Sequence, residues 1–348
     1  QVGRTGNLTP VAVLDPVQVG GITITHATLH NFDQIDRLGL KIGDTVIISR
    51  AGDVIPQITK VLKELRTGKE KPFHRPTHCP IDNSKVVRDG VFYRCSNPNC
   101  GARNREGLRH FVSRAAFDIR GLGPKIIDRF LDEGLISDAA DIFELKEGDV
   151  ATLERFGEKS AENIMKEVEE KKNISLPRFL YGLGILHVGE ETAALLARKF
   201  EIRNSKFEIK NLLEQAKKWT AEELQQIEDI GPKVAQSIYD WFHNERNITF
   251  LEKLEKVGIR VENPKSQITN HKLSGKTFVL TGGLESMARD EAKEKIRDLG
   301  GDVSESVSKK TDYVIVGTDS GSKAEKAKRL QVKILSEKEF LKMVGKHP

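Results

Sequence analysis

The sequence predicts a multidomain α+β protein, and three observations predict it. A chain of 348 residues exceeds what one hydrophobic core organises. The period of its apolar residues changes along the chain, from strand-like to helical to alternating. All three cysteines fall between Cys79 and Cys100, inside a stretch with almost no apolar runs.

Each part follows from its local pattern. Residues 1–68 read as β-rich, with strand-like runs at Val11–Leu14, Ile22–Ile24, Thr45–Ser49 and Ile58–Leu62 separated by Gly and Asp turns. Residues 69–105 hold the cysteines together with Pro72, Pro76, Pro80 and Pro98, and a segment so poor in core needs a staple. From about 106 to 262 the pattern is helical, broken by short Gly-bearing turns. Residues 263–271 are polar, contain Pro264 and read as a linker. The tail, 272–348, alternates strand and helix. Thr277–Leu280 and Tyr313–Val316 suit buried parallel strands, and Ala288–Leu299 and Lys323–Leu330 suit the helices between them. Ser336-Glu-Lys-Glu339 has the form of a capping box opening a last helix.

Composition bounds the function classes. No run approaches the roughly 20 apolar residues that span a bilayer, and the first residues lack a charged-then-apolar signal pattern. Clustered, odd-numbered thiols do not make a disulfide framework and fit metal binding in a reducing compartment, so the cytoplasm is the expected location. The formal charge is only +5, with Lys and Arg interleaved among Asp and Glu. That balance is compatible with nucleic acid but does not argue for it, so any such binding has to come from local geometry.

A repeat supplies that geometry. Ile119-Arg-Gly-Leu-Gly-Pro-Lys125, Leu153-Glu-Arg-Phe-Gly-Glu-Lys159, Ile185-Leu-His-Val-Gly-Glu-Glu191 and Ile227-Glu-Asp-Ile-Gly-Pro-Lys233 share one grammar: an apolar residue, a tight turn closing on Gly, then a new helix. The closing glycines, Gly123, Gly157, Gly189 and Gly231, are spaced 34, 32 and 42 residues apart, about one helical hairpin each. A glycine ahead of a helix lets an anion approach the backbone and tolerates positive φ. The free N–H groups and dipole of the helix then bind a phosphate oxygen. Pro124 and Pro232 sit where a missing N–H costs nothing, and Lys125, Lys159 and Lys233 add a point charge. Only the first copy has both glycines, Gly121 and Gly123; Arg155, His187 and Asp229 stand at the first-glycine position of the others. The third copy also lacks the lysine. Such turns resemble helix–hairpin–helix motifs, which hold duplex backbone without reading sequence. The plain alternative, four ordinary turns of a helical bundle, accounts less well for four copies at near-even spacing.

Cys79, Cys95 and Cys100 have the spacing of a small zinc knuckle, but the expected fourth thiolate position holds Asp82. Zinc accepts carboxylate oxygen, so these four residues could close a tetrahedron, with His74 and His78 as nearby substitutes. The alternative is a site that has lost its metal. No neighbouring pair offers a nucleophile and base, so catalysis by these cysteines is not expected.

The order of parts resembles the NAD-dependent DNA ligases of bacteria. The opening Gln1-Val-Gly-Arg-Thr-Gly6, then Ala27-Thr-Leu-His-Asn31 and Arg50-Ala-Gly-Asp-Val-Ile-Pro56, are similar to that family's OB-fold domain. The cysteine cluster, the four turns and a BRCT-like tail follow in the family's order. The resemblance therefore implies a β-barrel OB domain over 1–68, a zinc-finger-like module over 69–105, an all-α region of four helix–hairpin–helix motifs over 106–262 and an α/β BRCT domain over 272–348. It implies nicked double-stranded DNA as the partner, with the OB domain in the minor groove and Arg4, Thr5, Arg50, Val54 and Ile55 at the contact. The bland reading of Arg50, Val54 and Ile55 is a solvated edge charge and two core residues. In the tail, the resemblance places Thr281, Gly282 and Lys323 at a phosphate pocket.

The family attacks NAD with the lysine of a Lys-x-Asp-Gly motif, assisted by Mg²⁺. This chain contains no Lys-x-Asp-Gly, the nearest string being Val87-Arg-Asp-Gly90. Its opening at Gln1 in mid-motif, without Met, adds to the expectation of a C-terminal portion that needs the adenylation domain as a partner. The expectation is a monomeric, nucleoid-associated DNA clamp with no catalytic residues of its own. A non-enzymatic DNA-structure binder and part of an excision nuclease are the competing classes. The lack of a carboxylate cluster for two-metal cleavage speaks against the nuclease.

Overall fold

The computed structural model describes residues 1–19, 21–51, 55–153, 156–200, 206–262, 272–273, 275–308, 310–318 and 322–344. The chain divides into two compact units: Gln1–Ser113 with Ile119–Ile164, and Arg114–Asp118 with Met165–Pro348.

In the first unit, a four-stranded sheet has the order Val11–Val19, Ile22–Thr28, Ile55–Val61, Val46–Ala51. The outer pairs are antiparallel, and the central pair joins in parallel through Thr28 and Gln57. The strands extend beyond the sequence expectation because pairing carries polar residues such as Gln18 and Thr23 into the ladder. Helix Phe32–Leu38 starts at Asn31, whose side chain accepts the Gln34 N–H at 2.9 Å, and stops at Gly39. It turns Phe32 and Ile35 into a core with Leu8, Ala27, Leu29 and Ile58. An apolar cavity of about 530 Å³ lies beside the sheet, lined by Ala12, Leu14, Phe32 and Val46 among others.

Cys79, Cys95 and Cys100 belong to that same core. Val86–Asp89 and Phe92–Cys95 form an antiparallel hairpin, and Cys100 is the N-cap of helix Gly101–Phe111. The helical stretch thus begins at Gly101 rather than near 106, since the last cysteine is itself the start of the helix. Helices Pro124–Asp132, Glu147–Ala151 and Glu158–Glu170 follow.

The second unit carries helices Leu176–Gly182, Glu190–Lys199, Ile209–Ala216, Ala221–Gln225, Pro232–Phe242 and Glu245–Lys256. Their apolar faces bury Leu176, Phe179, Leu180, Leu196, Ile238 and Phe242. This region also holds a small sheet, Lys206–Phe207, Arg260–Glu262 and Asn173–Ser175, which the helical pattern conceals. The tail forms a parallel sheet in the order Asp302–Val303, Thr277–Thr281, Tyr313–Val316, Lys333–Ser336. Alternation along Thr277–Thr281 sends Phe278 and Leu280 into one core with Ile296 and Phe340. Val279 goes into another with Val307, Val314 and Ala327. Both faces are therefore covered, as parallel sheets require. The capping box is present: Ser336 Oγ accepts the Glu339 N–H at 3.3 Å while Glu339 accepts the Ser336 N–H at 2.7 Å. The linker expected at 263–271 lies outside the described residues. Among the described residues no helix is long and apolar enough to cross a membrane.

Candidate nucleic-acid interface and metal centre

The four repeated turns are built alike. In each, the carbonyl of the first apolar residue accepts the N–H of the residue ahead of the closing glycine: Ile119 from Leu122 (3.3 Å), Leu153 from Phe156 (3.0 Å), Ile185 from Val188 (3.1 Å) and Ile227 from Ile230 (3.1 Å). Burial of Ile119 with Leu122, and of Ile185 with Val188, anchors the turn ends in the core. The glycine carbonyl then takes the first helical hydrogen bonds, as Gly123 does from Ile126 and Ile127 and Gly231 from Val234 and Ala235.

The first-glycine position explains why two copies can lack that glycine. Gly121 has φ 90°, His187 has φ 65° and Asp229 has φ 66°. His187 and Asp229 have taken the left-handed conformation that the turn demands, at a cost of about 1–2 kcal/mol. Arg155, at the same place in the second copy, lies outside the described residues. Identity varies there while backbone shape is kept.

The closing glycines behave oppositely, and here the positive-φ expectation is corrected. Gly123, Gly189 and Gly231 have φ of −68°, −90° and −78°, open to any residue. A Cβ added at Gly123, Gly157, Gly189 or Gly231 would meet nothing within 4 Å. Neither conformation nor crowding in the fold calls for glycine. All four are exposed, and no side chain caps the helices that start at Gly123, Gly189 and Gly231. Their first N–H groups therefore face an open approach free of a Cβ. Pro124 and Pro232 occupy the first helical turn, as expected. Lys125, Lys159 and Lys233 are exposed beside their turns, whereas Glu191 at the matching place is half-buried.

The cysteine cluster has the dimensions of a metal site. Ligand atoms of Cys79, Asp82, Cys95 and Cys100 all lie within 4.8 Å of one another. Zinc–thiolate bonds of about 2.3 Å set tetrahedral S···S edges near 3.8 Å. Cys79 Sγ and Cys100 Sγ are 3.8 Å apart, and Cys95 Sγ is 3.6 Å from each Asp82 oxygen. Asp82, rather than His74 or His78, completes the set. The Ser84 backbone N–H at 3.0 Å, seconded by the Asn97 amide at 2.8 Å, holds its carboxyl well below the usual carboxylate range. Burial pushes the Cys95 thiol up to about 12 and raises Cys100 as well. A cation at the centre would offset that burial and draw the thiols into thiolates. The residues fit zinc, held by three sulfurs and one oxygen. The orienting roles of Ser84 and Asn97 left no signal in the sequence, because neither stands in a recognisable spacing.

The remaining expected residues fall into separate places. Arg4 and Thr5 sit at the tip of a turn closed by the Gly6 N–H to the Gly3 carbonyl at 2.8 Å, and the Gly6 carbonyl accepts the Cys95 N–H at 2.9 Å. The turn therefore leans on the cysteine module. Arg50 and Ile55 lie at the end of a hairpin, opposite Pro56 and Ala51 respectively, and Val54 is outside the described residues. Thr281 is buried, and a Cβ on Gly282 would stand 2.3 Å from the Thr318 carbonyl oxygen, so that glycine serves the fold. Lys323 lies 3.5 Å from Glu305.

Comparison with known proteins finds likenesses for these parts. Residues 1–70 match the NAD-dependent DNA ligase OB-fold domain. Residues 113–170 match a SAM-like helix-hairpin-helix tandem, 178–251 a helix-hairpin-helix motif and 269–344 the BRCA1 C Terminus (BRCT) domain. A DNA ligase of Desulforamulus reducens is 46% identical over 348 residues, covering 99% of this chain and 50% of the relative. A DNA ligase of Anoxybacillus flavithermus is 47% identical over 348 residues, with the same coverage. One of Coxiella burnetii is 45% identical over 347 residues. The chain spans about half the length of the curated relatives it matches.

Proposed function

We propose that this chain is the C-terminal, DNA-holding part of an NAD-dependent ligase that joins 3′-OH and 5′-phosphate ends at nicks in duplex DNA. It grips the sugar-phosphate backbone through the helix ends at Gly123, Gly157 and Gly231, helped by Lys125, Lys159 and Lys233. The observation that carries this reading is that Gly123, Gly157 and Gly231 stand exposed and uncrowded ahead of their helices, each with an exposed lysine two residues on. A phosphate oxygen at an open helix N-terminus is the group whose chemistry matches. Arg4, Thr5, Arg50, Val54 and Ile55 of the OB domain face the minor groove in this reading, and Gly121 keeps the first turn in shape. Gly189 closes a turn of the same backbone shape, but without the lysine it is not counted in the grip.

One zinc ion, held by Cys79, Asp82, Cys95 and Cys100, ties the module to the OB core and takes no part in chemistry. Adenylation needs a nucleophilic lysine in a Lys-x-Asp-Gly setting, and NAD and Mg²⁺ belong to that domain, the partner of this one. The string Val87-Arg-Asp-Gly90 is no substitute, since Val87 to Asp89 lie on a strand and Gly90 in its turn. The setting is the bacterial cytoplasm, at the nucleoid, with the chain acting as a monomer.

Titrating a labelled nicked duplex with the chain tests the grip. Affinity should fall steeply between about 50 and 200 mM salt and vary little with sequence. Strong sequence preference, or binding indifferent to salt, would overturn it. Incubation with radiolabelled NAD should yield no protein-bound AMP.

A further inference from the structure

The third turn departs from its three sisters in the residue two places beyond the closing glycine. Where the others carry an exposed lysine, it carries Glu191, half-buried; the acid before it, Glu190, has a counterpart in Glu158 of the second turn. A carboxylate in place of the lysine disfavours a phosphate, so another partner has to be sought.

The structure supplies one within the second compact unit. Glu191 Oε1 accepts from Arg297 Nη2 at 2.8 Å, and Arg297 lies on helix Arg289–Asp298 of the C-terminal α/β domain. Lys293, one turn earlier on that helix, adds its field to Glu191. At the other end of the third-turn helix, Arg198 pairs with Asp302 at the start of the next strand of the same domain. The hairpin helix thus offers an acid at its N-terminus and a base at its C-terminus, and the domain answers with a base and an acid. Lys310 of the domain also pairs with Glu228, in the fourth turn. An acidic first turn alone would suit the helix dipole. It would not remove Glu191 from water, yet burial here raises the carboxyl above its ordinary value despite the two cations.

We propose that the third hairpin turn is a docking site for the C-terminal α/β domain of the same chain, and that backbone phosphates are gripped by the first, second and fourth turns only. The lysine-to-glutamate change at the repeat position turns an anion site into a cation site. The first half of the proposal stands independently of any DNA binding, and the second rests on the function proposed above.

A zero-length carbodiimide, which joins carboxylates to amines already in contact, tests the docking without DNA. At about 50 mM salt the intact chain should give a linked peptide pair joining Glu228 to Lys310, and an Arg297→Lys variant should add one joining positions 191 and 297. Glu191→Arg should lower the 228–310 yield at least fivefold, and adding Arg297→Glu to it should restore the yield. With the unaltered chain, about 1 M salt shortens the screening length to about 3 Å and should abolish the link. The salt arm keeps the test decisive should a variant fail to fold. A missing link at low salt, a yield indifferent to salt, or a swap that restores nothing would overturn the docking. For the second half, Gly189→Ala should leave duplex affinity within twofold while Gly123→Ala lowers it about tenfold. If both weaken binding equally, the third turn grips DNA after all; if neither does, the phosphate reading of the other turns is what fails.

Discussion

Replacing Gly123 and Gly231 by alanine asks whether the closing glycines serve the fold or something outside it. At φ −68°, ψ 168° and φ −78°, ψ 170°, alanine is unstrained, and its methyl would meet nothing within 4 Å. Stability should hardly move. A stiffer unfolded chain contributes about 0.4–1 kcal/mol in favour of alanine. Alanine is the poorer N-cap, which costs a similar amount in the other direction. The two offset, leaving a net change under about 1 kcal/mol.

Binding should move much more. Each methyl would stand at the mouth of a helix N-terminus, where the proposed grip brings a phosphate oxygen. Hydrogen bonds to a charged group contribute about 1.5–3 kcal/mol net, and 1.4 kcal/mol is tenfold in affinity. Losing the lower end of that range at one turn gives about tenfold weaker binding, and at both turns about a hundredfold. Fluorescence anisotropy on a nicked duplex, alongside denaturant melts of the same variants, separates the two effects. A double variant that binds within twofold of the parent would refute the reasoning. So would a binding loss matched by a stability loss, since the glycines would then serve the fold.

Gly282→Ala should behave in the opposite way: at φ 79° and with its Cβ 2.3 Å from the Thr318 oxygen, it should destabilise the C-terminal domain by more than about 3 kcal/mol in a urea melt. Elemental analysis should find one zinc per chain, and a chelator should lower the melting temperature of the first unit. Because burial holds the Cys95 thiol near 12 in the absence of metal, zinc must displace protons, so its affinity should fall as pH falls in a competition titration. Asp82→Ala should weaken zinc binding, and Asp82→Cys should strengthen it. Asp44, whose side chain is fully buried against Arg66 at 2.7 Å, has its carboxyl lowered chiefly by that guanidinium. Its folded pKa is depressed, so the stability it contributes is complete above the unfolded carboxylate range and lost as pH falls through the lowered value. Acid melts of Asp44→Asn should lose that pH dependence below about pH 4.

What could be read from the sequence, and what could not, divides along physical lines. Thr277–Leu280 and Tyr313–Val316 were legible because a strand buried on both faces has to be apolar throughout. The repeat was legible because the same turn needs the same residues four times. Strand Asn173–Ser175 and its partner Arg260–Glu262 were not, since two short segments 87 residues apart pair only once the helices between them have packed. The start of helix Gly101–Phe111 was hidden because its N-cap is a cysteine that belongs to the cysteine cluster. At the site, the sequence reading gave the closing glycines two virtues, anion access and positive φ, and the second does not apply to Gly123, Gly189 and Gly231. Positive φ belongs to the position two residues earlier, where His187 and Asp229 show that glycine is dispensable.

That exchange of roles bears on how a chain of net charge +5 would hold a polyanion in the proposed grip. A basic patch binds through side chains, and its strength is visible in composition. An open helix end binds through main-chain N–H groups, which every sequence has, so its strength depends on what is kept away. Here that means no Cβ on the closing glycine, no capping side chain and no acid two residues past the glycine. Three of the turns meet the last condition at the position that matters, with lysine at 125, 159 and 233. The third keeps the glycine and the open cap but places a carboxylate at 191. If backbone geometry alone decided the ligand, all four turns would bind phosphate alike. The half-burial of Glu191 against Arg297 argues instead that geometry builds a socket for charge, and that the side chain two residues past the glycine chooses its sign.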